Sequence, residues 1–376
     1  MKNIILIILS LCLFLSSCFS NREEKQINGK LECLPLKYAT HLKIFKANGY
    51  FIVNIRNPWD TTKILHSYAL VEKTSNVDLP ADNNLTVIKT PVEKSLIFTS
   101  LHASLIKNLG CKDCISSLCD VEYVLDEDLK NDIATGKIKN LGSSMNPDVE
   151  KILVESPEII MLSPYQTSGS FGLLGKTKIP LVECADYMEN SPLAQAEWIK
   201  FYGLLFGRGN FADSVFLDIE KNYINLKEIA KGYSSRPKVL ANSLTGAVWY
   251  MPAKKSTAAI FYMDAGFGYP FVNLEGFGTV PLNFESVFAK AADADCWIVK
   301  YNRTVDYNLE SFAAENPNYK KFNAFKNKNV YACNLSYIPY YDQTPFRPDL
   351  LLKDLIKIAH PQAFEGYNLR YFKKLE

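Results

Sequence analysis

The chain is 376 residues long, 48% of them hydrophobic, with a formal net charge of +2. That is enough apolar material for a sizeable core, most economically divided between two domains. An even charge balance with no long run of one sign excludes electrostatic capture of nucleic acid as the basis of function and leaves a small ligand or another protein as the partner.

The N-terminus carries the first specific signal. "MKNIILIILSLCLFLSSC" sets the basic Lys2 ahead of an apolar run from Ile4 to Leu15, then small residues. The run is shorter than the roughly 20 residues of a bilayer span and reads as an export signal. Leu15-Ser16-Ser17-Cys18 resembles the lipobox of bacterial lipoproteins, which implies removal of residues 1–17 and lipid on Cys18. Residues 18–34 suit a tether, and two or more acyl chains, at about 0.8 kcal/mol per buried methylene, would hold the protein at a membrane surface outside the cytoplasm.

Exported cysteines tend to pair. Of the nine, Cys12 leaves with the signal and Cys18 takes lipid; the seven that remain cannot all pair within the chain. The cluster "CKDCISSLC" (111–119) offers three thiols and no histidine close by in sequence. A disulfide or buried thiols fit that pattern better than metal or redox chemistry, and no metal site is assigned.

In chain order, "LKIFKANGYFIVNIRN" and "ILHSYALVE" alternate as paired strands do, with "NPWDTT" as the turn between them. From Lys94 strands and helices alternate, the pattern of an α/β fold with parallel sheets. "KSLIFTS" (94–100) and "EIIMLS" (158–163) are strands, the first followed by a helix that ends at Gly110. A helical stretch from Ser191 to Phe206 is broken by "GRGN", and a second helix of about 30 Å runs from Phe211 to Lys231. A second α/β unit opens at Pro237, with strands in "PKVLANS", "DCWIVK" and "NVYACN". The expected architecture is two Rossmann-like lobes with mostly parallel central sheets, residues 35–210 and 232–376, bridged by one long helix at 211–231.

Two short helices carry a glutamate in the first turn. In "NPDVEKILVESPEII" (146–160), Asn146 can cap, Pro147 occupies the first helical position, and Val149, Ile152 and Leu153 form the buried stripe, so Glu150 faces solvent. In "PLNFESVFAKAADADCWIVK" (281–300), Asn283 can cap, Phe284, Val287 and Phe288 form the stripe, and Glu285 lies beside it. An acidic residue in a first turn favours the helix dipole by about 0.3–1 kcal/mol, which accounts for either alone. Matched placement in two units suggests a two-point docking surface.

These segments, with Leu109-Gly110, Leu141-Gly142, "IPLVE" (179–183), "YGLLFGRGNFAD" (202–213) and His360-Pro361, resemble in order and spacing the ABC-transporter substrate-binding proteins for iron complexes and cobalamin, over about residues 90–362. The resemblance implies two lobes joined by one long helix, function as a carrier rather than an enzyme, a monomer with no resident cofactor, and an ABC permease whose arginine pockets receive Glu150 and Glu285. Such charge pairs set orientation and association rate more than affinity.

Ligands of open α/β sheets bind beyond the carboxyl ends of the strands. The residues that follow those ends are therefore the candidate ligand contacts: His102; Tyr165, Gln166 and Phe171; Trp249 and Tyr250; Lys300, Tyr301 and Arg303; Tyr337, Tyr340, Tyr341 and Arg347. Aromatic faces with a few cations suit a large metal chelate, a ferric siderophore first, cobalamin next and haem third. A lone histidine such as His102 can equally cap a helix, and each aromatic can equally close a core. "SGSFGLLGKT" (168–177) imitates a phosphate loop, but Ser170 replaces the first glycine and a strand follows where a helix is required. The four scattered histidines argue against a zinc or manganese carrier. An exported enzyme, or a lipoprotein that scavenges without a permease, are the competing readings.

Overall fold

The alternating stretch from Leu42 to Glu72 folds as three strands rather than two. Leu42–Ala47 (β2) and Tyr50–Arg56 (β3) turn at Asn48-Gly49, where Gly49 takes a φ of +84°, the left-handed geometry a tight hairpin requires. Ile64–Glu72 (β4) follows. Glu32–Leu34 (β1) and Leu85–Thr90 (β5) complete a sheet ordered β1-β2-β3-β4-β5, antiparallel except for β4 with β5. The computed structural model describes residues 31–376 apart from 78, 80–83 and 166–170. The export signal and Cys18 lie outside the described residues. Residues 32–34, expected as the end of the tether, are strand instead, because Leu31 and Leu34 pack half-buried against the core.

A second sheet takes Ser95–Ile97 (β6), Ile115–Leu118 (β7), Lys139–Asn140 (β8), Ile159–Leu162 (β9) and Leu181–Glu183 (β10) in the order β10-β9-β6-β7-β8, every pairing parallel. All four residues of β9 are buried, as a strand covered on both faces demands. Between the strands lie helices Ser100–Asn108 (α1), Glu127–Ala134 (α2) and Val149–Glu155 (α3).

Pro192–Glu197 (α4) and Ile199–Leu205 (α5) lead into Gly209–Lys231 (α6), 23 residues and about 35 Å long. A Cβ on Gly203 would stand 2.4 Å from that of Ala212, so only glycine lets α5 and α6 approach this closely. The first half of α6 buries Phe216 and Ile219 and the second Tyr223 and Leu226. Tyr223 and Lys227 hold Asp264 of the second lobe at 2.9 and 2.7 Å. Among the described residues no helix is long and apolar enough to cross a membrane.

The second lobe has Val239–Ala241 (β11), Leu244–Thr245 (β12), Val248–Pro252 (β13), Thr279–Leu282 (β14), Cys296–Tyr301 (β15), Val330–Asn334 (β16) and Lys373–Lys374 (β17). β11, β15 and β16 are parallel, β17 adds antiparallel to β16, and β12-β13-β14 form a separate antiparallel sheet. Its helices are Thr257–Asp264 (α7), Phe284–Ala291 (α8), Leu309–Glu315 (α9), Asn323–Lys326 (α10), Tyr340–Gln343 (α11) and Pro348–Ala359 (α12). α12 packs along α6 and α11 against α1. The molecule is thus an α/β fold of two lobes bridged by one long helix, and the lobes also touch directly.

Candidate functional site

In the second sheet β6 has β7 on one side and β9 on the other, so the connections leaving their carboxyl ends diverge and open a crevice. β6 delivers Ser100 to its rim, and β7 delivers Glu122 and Tyr123. From the facing lobe, β15 delivers Asn302 and β16 delivers Leu335, Ser336 and residues 338–342, while Tyr337 turns away, its hydroxyl donating to the Thr304 carbonyl at 2.6 Å. Together they line one cleft of about 570 Å³. The Ser100 hydroxyl donates to Asp342 Oδ1 at 2.6 Å, a hydrogen bond from lobe to lobe. Burial pushes the Asp342 carboxyl above its ordinary value against that hydrogen bond, and the Asp126 charge adds to the rise.

The cleft's walls are tyrosines. Tyr123 from the first lobe is 63% exposed and Tyr341 from the second 55%. Tyr340 meets Tyr341 edge to face at 5.2 Å, and Lys300 Nζ stands 5.1 and 5.6 Å from their ring centroids. Ring faces with one ammonium, two carboxyls and the Asn302 amide can stack on an aromatic or flat-faced ligand and read its charge. Of the residues expected from sequence, the cleft gathers Tyr340 and Tyr341, with Lys300 against them. Tyr123, Glu122, Asn302 and Asp342 were missed. Tyr123 escaped because β7 is only four residues long and lies between cysteines; three of the four residues of "ISSL" are buried, but so short a run shows no period.

Several expected contacts are placed elsewhere. His102 is buried, with Nδ1 2.6 Å from Thr99 Oγ1 and Nε2 3.0 Å from Asp186 Oδ1, and the Tyr202 hydroxyl also donates to Asp186, at 2.6 Å. Burial alone would lower the imidazole, but Cys184 and the Asp186 carboxylate outweigh it and hold His102 up to about 10. Phe346 of the second lobe packs on the His102 and Tyr202 rings at 6.3 and 5.9 Å, so this pair braces the lobe contact rather than facing a ligand. Trp249 is wholly buried: its Nε1 donates to the Ala241 carbonyl at 2.9 Å and its ring stacks on Trp297 at 5.7 Å. The indole N–H is satisfied inside the core, which removes it from the cleft.

Tyr250, the next residue on β13, is exposed but does not line the cleft. Tyr301 turns aside, its hydroxyl donating to Asp306 at 3.2 Å and its ring 4.3 Å from Tyr307. Arg303 is paired with Glu315 and lies 5.1 Å from the Tyr307 ring. Tyr165 lines a different cavity, about 670 Å³, between β10 and the N-terminal sheet. Gln166 lies outside the described residues.

Both glutamates are exposed in the first turns of their helices. Asn283 caps α8, accepting from Ser286 N at 2.8 Å. α3 begins later than expected: Asp148, not Asn146, caps it, accepting from Lys151 N at 3.1 Å. Only Ile152 of the expected stripe is fully buried; Leu153 is 53% exposed. Among the described residues no cluster of three or more histidine, cysteine or acidic side chains could hold a metal ion.

Residues 118–336 match the family model described as periplasmic binding protein. An uncharacterized lipoprotein of Methanocaldococcus jannaschii is 28% identical over 369 residues, covering 90% of this chain and 85% of its own. Among solved structures, a possible iron-binding (periplasmic solute-binding) protein from Staphylococcus epidermidis superposes with a TM-score of 0.58 at 17% identity, over 72% of this chain and 100% of that one. A periplasmic heme binding protein from Pseudomonas aeruginosa gives 0.58 at 13% identity, over 76% and 98%. At such identities the structural likeness speaks for the fold.

Proposed function

The chain belongs to the periplasmic binding protein family, and from that premise we propose that it is the substrate-binding component of an ABC importer, capturing an iron chelate of the ferric siderophore kind between its lobes. The observation that carries the reading is the cleft beyond the strand ends, with Tyr123 on one lobe and Tyr340 and Tyr341 on the other. Its volume of about 570 Å³ falls in the range of small-molecule sites and favours a compact chelate over the larger corrinoid. Titration of the purified protein with ferric desferrioxamine, cyanocobalamin and haemin by calorimetry tests it. Calorimetry is preferable to tryptophan fluorescence because Trp198, Trp249 and Trp297 are buried away from the cleft. Saturable binding of the ferric chelate that Tyr341→Ala weakens is the expected result; binding of cyanocobalamin or haemin alone transfers the site to that ligand, and binding of none removes the carrier reading.

Delivery is assigned to Glu150 and Glu285 docking on the permease, with the protein held at the membrane by lipid on Cys18. Exposure of both glutamates supports the first, and the name of the archaeal lipoprotein relative supports the second. Replacing both glutamates by alanine is expected to abolish chelate uptake by cells while leaving affinity unchanged. A matching loss of affinity would refute the docking role.

A further inference from the structure

The cavity of about 670 Å³ in the first lobe shares no lining residue with the inter-lobe cleft. β4, β5 and the turn between β3 and β4 form one wall, and residues 177–183 another. The first wall lies outside residues 118–336, so the portion of the chain that matches the family does not make this cavity alone.

Glu183, the last residue of β10, lines the cavity and is only 6% exposed. His66 on β4 holds one carboxylate oxygen, with Nδ1 3.1 Å from Oε1, and its Nε2 meets Thr86 Oγ1 on β5 at 2.7 Å. A neutral imidazole satisfies both, donating to the carboxylate and accepting from the hydroxyl. Oε2 has no hydrogen-bond partner among the described residues and is not sealed off from solvent, so it opens on the cavity. Among the described residues no lysine or arginine comes within ion-pair distance of this carboxylate. A carboxylate this buried is normally paired with a cation, and here the protein supplies none.

The surroundings are fixed before any ligand arrives. The Tyr68 hydroxyl donates to the Leu181 carbonyl and accepts from Glu183 N, both at 2.9 Å, and the Tyr68 ring stacks on His66 at 4.5 Å. In the turn singled out from sequence as "NPWDTT", Asn57 Oδ1 accepts from Trp59 N at 2.9 Å and from Asp60 N at 3.1 Å, which sets Trp59 in the cavity wall. The Trp59 ring is half-buried and meets no other ring and no cation among the described residues. Leu65, Val87 and Ile179 add apolar surface.

We propose that this cavity is a second binding site, for an organic ammonium carried on a flat or apolar body, with Glu183 Oε2 accepting from the ammonium and Trp59 facing the body. The ammonium supplies the charge that the buried carboxylate lacks, in a charge-assisted hydrogen bond, and an indole face favours the same sign of charge. Lys178, the lysine on the lining, is exposed, where salt screens its repulsion. The site does not depend on the carrier reading, and neither falls with the other.

Phenethylamine, 2-phenylethanol and phenylacetate share a ring and differ in charge. Trp59 reports on the cavity because the other three of the four tryptophans are wholly buried. Titrated into the purified full-length protein at neutral pH, phenethylamine should change tryptophan fluorescence saturably, with a dissociation constant of about 1 mM or below. The alcohol and the acid should bind at least about tenfold more weakly, for want of the charged donor. Glu183→Gln should weaken phenethylamine binding by at least about tenfold. Trp59→Phe should abolish the fluorescence change while calorimetry still detects binding. Comparing the three probes on the wild type needs no variant to fold. The assignment is overturned by no saturable signal up to about 10 mM phenethylamine, by equal affinity for the alcohol, by undiminished binding to Glu183→Gln, or by a fluorescence change that persists in Trp59→Phe.

Discussion

Two aromatic groups of the second lobe follow strand ends in the same way and have opposite fates. Trp249 follows β11 and stacks on Trp297, with both indole nitrogens donating to main-chain carbonyls, Ala241 at 2.9 Å and Asn242 at 2.6 Å. Tyr319, Phe312 and Phe322 pack around Trp297 at 4.9–5.0 Å from ring to ring or from one another. Tyr340 and Tyr341 follow β16 on a four-residue helix that presents Tyr341 to the cleft. An aromatic whose polar atom is satisfied by its own backbone neighbourhood becomes core, and one offered on a short element between lobes becomes a binding face. Position after a strand is common to both and decides neither.

Substitution separates the two groups. Trp249→Ala should lower unfolding free energy by about 3–5 kcal/mol in denaturant titration, the loss for deleting a large buried aromatic, and leave the affinity of the remaining folded protein unchanged. A selective loss of affinity would return Trp249 to the site. Tyr341→Ala should do the reverse, weakening ligand binding by about 1–3 kcal/mol with stability altered by about 0.5 kcal/mol or less. Equal losses of both would erase the distinction between core and cleft. Ser100→Ala removes the hydroxyl that bridges to Asp342 and should cost about 1 kcal/mol of stability, read as a shift in denaturant midpoint.

The brace behind the cleft carries a pH signature of its own. His102 is held up to about 10 in the folded protein, above its ordinary 6.5. A raised pKa means the folded state binds the proton more tightly, so this stabilisation is complete below about 6.5 and is lost as pH rises through about 10. Denaturant melts across that interval should therefore fall in stability for the wild type, and His102→Gln should remove this part of the slope. An unchanged slope in the variant would show that the Asp186 pair does not carry it.

Much of the scaffold was legible because its signals are local. The apolar runs of β9, β11 and β15, the helix that begins after the positive-φ Gly207, and the Asn283 cap each depend on a few adjacent residues. Short elements were harder. β7, with four residues, and β12 and β14, with two and four, are too short to leave a period in the sequence, and Asn48-Gly49 was passed over as a hairpin turn within an apparently continuous strand. Missing β7 also hid Glu122 and Tyr123, two of the four first-lobe residues that line the cleft.

By itself the sequence determined the α/β class, the long bridging helix and the exposed glutamates, because periodicity, capping and chain order are properties of neighbouring residues. Only the tertiary structure decided which aromatics face the opening, that His102 serves Asp186 and Phe346, and that Arg208 reaches the Gly110 carbonyl across 98 positions of chain. Those outcomes depend on burial and on partners distant in sequence, and the free energy of a polar or charged group is set by what surrounds it once folded.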